Sequence, residues 1–151
     1  MGIAPWEARV LLTPIRSKGR GEIMAILKPT PTAVIDKTPL ALSTATALSD
    51  CTNTNLTKAM QCAITVEATF NASATAGLDI TLRPSYNGSD YDTSAWSDWT
   101  WSIAVDAGAT IRQTSYAISP VAKGMKIIAE NMDGTYAVTN LKVYVTVQTA
   151  G

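Results

Sequence analysis

The chain has 151 residues, enough for one domain with a substantial core and too few for two, and its 12 basic and 12 acidic residues cancel. That balance removes the broad electrostatic case for a nucleic-acid partner, and the absence of histidine removes the commonest general base and metal ligand. Threonine, alanine, serine and valine dominate while charged residues are sparse, a bias toward β structure over helix.

Residues 1–32 read as an extended N-terminal arm. They hold Pro5, Pro14, Pro29 and Pro31 and show no sustained hydrophobic period. Arg9, Arg16, Lys18, Arg20 and Lys28 stand against Glu7 and Glu22, so the arm is basic and residues 33–151 are mildly acidic. Glu7 and Arg9 occupy the place where an exported chain would carry an apolar core segment, so no secretion signal is expected. No apolar run approaches membrane-spanning length. Met24 follows a stretch whose codons suit a ribosome-binding site and offers an alternative start to Met1. An arm of this composition cannot fold alone. Its support is its own domain or a neighbouring subunit, and Trp6, Arg9, Arg16, Lys18 and Arg20 are its candidate contact residues.

From residue 33 the pattern is β. Residues 32–43 read as a strand, with Pro39 marking an edge or a break, and 45–58 read as a polar loop. In residues 61–71, Cys62, Ile64, Val66, Ala68 and Phe70 alternate with polar neighbours. Leu78, Ile80 and Leu82 repeat the pattern, and "NGSD" follows as a turn. Trp99, Trp101, Ile103 and Val105 share one parity, which puts the two tryptophans on the core face of a strand. Trp96 is out of phase and is expected in an exposed loop with Tyr91. Residues 110–120 read as a strand with Thr114, Tyr116 and Ile118 in phase. Residues 123–131 form another, "MDGT" reads as a hairpin turn, and Leu141, Val143, Val145 and Val147 face inward in the last strand. Seven to eight short strands without an amphipathic helix predict an all-β, antiparallel β-sandwich of jelly-roll type.

No motif carries catalysis. Serines and threonines lack a histidine to activate them, and no G-x-S-x-G elbow occurs. Asp90, Asp92 and Asp98 come from one loop, whereas glycosidase carboxylates converge from separate elements. Asn87, Ser89, Asp90 and Asp92 are hard oxygen donors, but their spacing fits a polar hairpin tip better than a calcium loop, so neither metal nor cofactor is expected. Cys62 lies in phase with the apolar residues, which favours a buried free thiol; a bond to Cys51 requires an exported chain.

The segment "LRPSYNGSDYDTSAW…IAVDAGATIRQTSYAISPVAKGMKIIAENMDGTYAVTNLKVYVTV" resembles small β-sandwich virion proteins of tailed bacteriophages. The shared features are an S-x-(D/N)-G-x-x-Y-D-T tip, an AG-x-T turn and a final N-x-D-G/S…AVTN-x-K-V hairpin, covering roughly residues 60–148 and not the arm. The resemblance implies a non-enzymatic particle protein assembled in the host cytoplasm. The leading expectation is capsid decoration through contact with the major capsid protein or other virion proteins, as a homo-oligomer, with a trimer favoured. A tail, neck or fibre-base component is the alternative within the same particle. A carbohydrate-binding module is the alternative outside it, with a glycan on Tyr86, Tyr91 and Trp96 and with Asp90 and Asp92 as acceptors.

Overall fold

The structure, a computed structural model, describes residues 29–96 and 99–149. Among them eight strands occur: β1 (Thr32–Lys37), β2 (Thr54–Asn55), β3 (Ala59–Thr69), β4 (Leu78–Ser85), β5 (Thr100–Ile103), β6 (Thr110–Thr114), β7 (Gly124–Asn131) and β8 (Asn140–Thr149). Period-two alternation sets the first sheet. Cys62, Ile64, Val66 and Ala68 of β3 are buried, and they lie opposite Val147, Val145, Val143 and Leu141 of β8. The β4–β7 pair builds the facing layer in the same way, with Leu78, Ile80 and Leu82 against Ile127 and Ala129. One side of each strand is thus removed from water, and the sandwich closes on an aliphatic core.

The strand orders are β1-β8-β3-β6 and β2-β7-β4-β5. First pairs with eighth, second with seventh, third with sixth and fourth with fifth, all antiparallel. This nesting is an antiparallel ribbon rolled into two sheets, the jelly roll that the alternation predicted. Connectivity defines two ends. The β3–β4, β5–β6 and β7–β8 connections lie at the upper end; β2–β3, β4–β5 and β6–β7 lie at the lower end, where the arm enters β1.

Three local expectations change. The strand expected over 32–43 ends at Lys37, before the cis Thr38–Pro39 peptide, and Leu40 then bridges Val138. The loop expected over 45–58 contains a 3-10 turn, Leu48–Asp50, as well as β2. "MDGT" is not a hairpin, because β7 and β8 belong to different sheets. Asp133 instead acts as an acceptor hub. Its Oδ2 accepts the N–H groups of Thr75 (2.7 Å) and Ala76 (3.1 Å), and its Oδ1 those of Thr135 and Tyr136 (both 2.8 Å). Asn131 donates to the carbonyls of Ala41 (3.1 Å) and Tyr136 (2.9 Å). The side chains of "NMDGTY" therefore tie three upper-end segments together.

Both cysteines are free and buried. Burial pushes the Cys62 thiol up to about 11. Burial also raises Cys51, whose Sγ accepts the Ile127 N–H at 3.1 Å.

Candidate functional site

The lower end gathers the surface features that suit contact. Six large hydrophobic residues are exposed among the described residues, and four of them belong there: Met60, Tyr86, Tyr116 and Val121. Met60 starts β3, Tyr86 follows β4, and Tyr116 and Val121 lie between β6 and β7. Val121 and Tyr116 are 92% and 96% exposed, so neither contributes to the core and each is free to bury area on a partner.

Beyond Ser115 the strand carries a bulge. Regular pairing runs from Thr69↔Thr110 to Thr65↔Thr114. Ser115 then donates its N–H to the Ile64 carbonyl (2.8 Å), while its hydroxyl accepts the Ile64 N–H (3.0 Å) in place of a backbone carbonyl. The next contact is Cys62↔Ile118, so three residues separate the two contacts on this strand and two on β3. The extra residue shifts the parity. Tyr116 keeps the outward phase of Thr114 while Ile118 is turned into the core, so the expected single phase of Thr114, Tyr116 and Ile118 does not hold.

Beside the bulge, a cleft of about 280 Å³ opens between the free edges of β5 and β6. Trp99, Trp101, Tyr116 and Ala117 line it with the hydroxyl residues Thr100 and Thr114. Trp101 stands opposite buried Ile80, on the core side of β5 as expected. Edge position leaves Trp99 and Trp101 half-buried: each packs on the core and shows its other side to the cleft.

The residues expected in the Tyr86–Trp96 loop separate. Tyr86 is 75% exposed. Tyr91 is half-buried, with Lys126 Nζ 5.1 Å from its ring centroid and its hydroxyl 3.4 Å from the Gly88 carbonyl. Burial, then the nearby Cys51, raises its phenol. Asp90 Oδ2 accepts from Asn87 Nδ2 at 2.7 Å, and Asn87 Oδ1 accepts the N–H groups of Ser89 (2.9 Å) and Asp90 (2.8 Å). These polar groups are spent on building the loop, with Gly88 at φ 89°. Asp92 is exposed, and its N–H donates to the Pro84 carbonyl (3.0 Å). The Trp96 N–H donates to the Leu82 carbonyl (2.9 Å). These two bonds draw the chain along β4 and lay the Trp96 indole on the core, so it is half-buried rather than an exposed loop contact. Tyr86, Tyr91 and Trp96 therefore occupy three different environments. Trp6, Arg9, Arg16, Lys18 and Arg20 lie outside the described residues.

Sequence reasoning missed Tyr116, Val121 and the cleft. One signal was present: Ile111 and Ile118 are an odd interval apart, so a regular strand cannot face both inward. The fold is a jelly roll, an architecture used by capsid and lectin domains alike. No protein-family model and no curated protein matches the chain.

Proposed function

We propose that this chain is a non-enzymatic structural protein of a tailed-bacteriophage virion, and that it decorates the capsid. The observation that carries the reading is the pairing of four exposed hydrophobic side chains with the root of a basic arm at one end of a jelly roll. A module that sits on a lattice needs one adhesive end and a rigid body. Repetition of the lattice then makes weak single contacts sufficient. The arm, with Trp6, Arg9, Arg16, Lys18 and Arg20, carries positive charge while the sandwich carries the balancing negative charge. The arm of one copy is thereby complementary to the sandwich of the next, which supports a cyclic homo-oligomer such as a trimer.

The test is quantitative peptide mass spectrometry across a density gradient of the producing culture. Decoration gives this chain in the DNA-containing particle band at a copy number comparable with the major shell protein. A copy number far below that assigns it to the tail, neck or fibre base instead. Absence from the band removes the virion reading.

A further inference from the structure

Independently of the virion reading, we infer that the cleft between β5 and β6 binds an uncharged saccharide, held by its aromatic walls and by the free main-chain groups of two strand edges. Antiparallel pairing alternates. One residue exchanges main-chain bonds with the partner strand, and the next turns its N–H and C=O away from it. Beside β3, the Ser115 N–H donates to the Ile64 carbonyl (2.8 Å) and the Phe70 N–H to the Ala109 carbonyl (3.0 Å). These bonds fix the phase of β6: Ile111 and Gln113 face β3, while Thr110, Arg112 and Thr114 turn their main-chain groups outward. Along β4, the carbonyls of Leu82 and Pro84 accept the N–H groups of Trp96 (2.9 Å) and Asp92 (3.0 Å), so its even-numbered residues face the β5 side. Ile80 therefore exchanges bonds with Trp101, and Thr100 and Ser102 turn outward. Strands β5 and β6 are the outer strands of their sheets. Thr100 and Thr114 thus bring main-chain donors and acceptors, unpaired among the described residues, to a cleft that both line.

The walls select the ligand class. Trp99 and Trp101 are two positions apart, about 7 Å in extended chain, and Tyr116 stands on the β6 side. Each indole rests on the core, so it is ordered before a ligand arrives and binding costs little conformational entropy. Among the described residues no charged side chain lines the cleft, so an ionic ligand would find no counter-charge. An alkyl ligand would bury the strand-edge groups without partners. A sugar meets both demands: its C–H face packs on an indole, and its hydroxyls donate and accept. The volume, about 280 Å³, lies near the small end of small-molecule sites, roughly 300 to 1,000 Å³, and suits one or two sugar rings rather than a length of peptide strand. Two lining hydroxyls are already engaged. Ser115 Oγ accepts the Ile64 N–H and donates to the Tyr116 carbonyl (2.9 Å), and Thr114 Oγ1 bonds Thr65 Oγ1 (2.9 Å). Polar recognition therefore falls to the outward main chain of Thr100 and Thr114, the Thr100 hydroxyl and the Tyr116 phenol. None of Tyr86, Tyr91 and Trp96, the platform expected from sequence, lines this cleft.

The test titrates the isotope-labelled full chain with maltotriose, cellotriose, mannotriose and tri-N-acetylchitotriose as neutral probes, and with trigalacturonate as an anionic one, read by the amide and indole N–H signals in NMR. At least one neutral probe should saturably move the indole signals of Trp99 and Trp101 and the amides of Thr100 and Thr114, with trigalacturonate at least about tenfold weaker. Tyr116 is almost fully exposed, so Tyr116→Ala should keep the parent melting temperature while weakening the sugar about tenfold. Leu42→Ala, a comparably simple truncation at the upper end, should leave the affinity unchanged. No saturable shift with any neutral probe up to about 10 mM would overturn the inference. So would an affinity that Tyr116→Ala leaves intact, or equal binding of trigalacturonate. Movement of the same signals on diluting the protein alone would assign the cleft to a second copy and overturn the sugar reading.

Discussion

Trp96 and Tyr86 share a loop and were expected to share a contact role, but the structure gives them different energetic weights. Trp96→Ala removes an indole that packs on the core while its backbone N–H stays bonded to Leu82. A fully enclosed indole buries roughly 200 Å², and at the partial exposure of Trp96 about three-quarters of that, about 150 Å², is out of water. At about 25 cal/mol per Å² the loss is about 4 kcal/mol. No closed cavity remains, because water reaches the vacated side, so the extra cost of an internal void does not apply. For a domain of this size the melting temperature should fall by roughly 15 °C. Tyr86→Ala, at a position 75% exposed, should stay within about 0.5 kcal/mol of the parent. Urea unfolding followed by far-UV circular dichroism, with unchanged m-values, measures both. A Trp96→Ala loss below about 1 kcal/mol would put the indole on the surface and refute the packing argument.

Further outcomes concern the joints of the fold. Four backbone N–H donors hold the Asp133 carboxyl well below the usual carboxylate range, Thr75 first among them. Its folded pKa is depressed, so its stabilising contribution is complete above the unfolded value near 4 and is lost as pH falls toward the folded value. Asp133→Asn should therefore lower the melting temperature at pH 7 and flatten its fall below about pH 4; an unchanged acid limb would count against the hub. Gly77→Ala would place a Cβ 1.9 Å from the Ile103 carbonyl oxygen, a backbone atom of β5. That variant should unfold far more readily than Ala76→Gly, and equal stability of the two would show that β5 is not held there. Cys51 and Cys62 should both resist a thiol reagent at pH 8 in the native protein and both react in denaturant, since burial raises each thiol. Rapid native labelling would mean that the sheets open locally.

The long strands were legible because their burial is one-sided. Cys62 to Phe70, Leu78 to Leu82 and Leu141 to Val145 alternate without interruption, and each residue expected inside is buried. Short or irregular elements left no such trace. Strand β2 has two residues, paired only with Met125 and Gly124, and two residues carry no period. The Ser115 bulge moves one side chain across the sheet, and its mark in the sequence is the odd spacing of Ile111 and Ile118. Trp96 was misplaced for a related reason. Parity places side chains only within strands, and two backbone bonds to β4 hold this residue on the core from outside one. Of the candidate contact residues, exposure of Tyr86 followed from its turn, whereas that of Tyr116 was hidden by grouping it with Ile118, which the bulge turns inward. The five arm residues fall outside the described range.

The two ends of the sandwich are built by opposite uses of polar chemistry. At the upper end, Asn131 and Asp133 direct their side chains into backbone groups of the 41–44, 75–76 and 135–136 segments. Bonds of that kind use up the acceptors that a ligand would need, and they make the end rigid. At the lower end, Asn87 and Asp90 likewise satisfy their own loop, but the surrounding positions carry Met60, Tyr86, Tyr116 and Val121 in water. Exposing such side chains gains nothing for a lone monomer and adds a route to aggregation. The lower end thus combines self-satisfied polar loops with four exposed hydrophobic side chains, two free strand edges and an aromatic cleft, whereas the upper end spends its buried polar groups on tying its own segments together. That asymmetry is what the proposed contact role rests on: the end free of internal cross-ties is the one that offers apolar area.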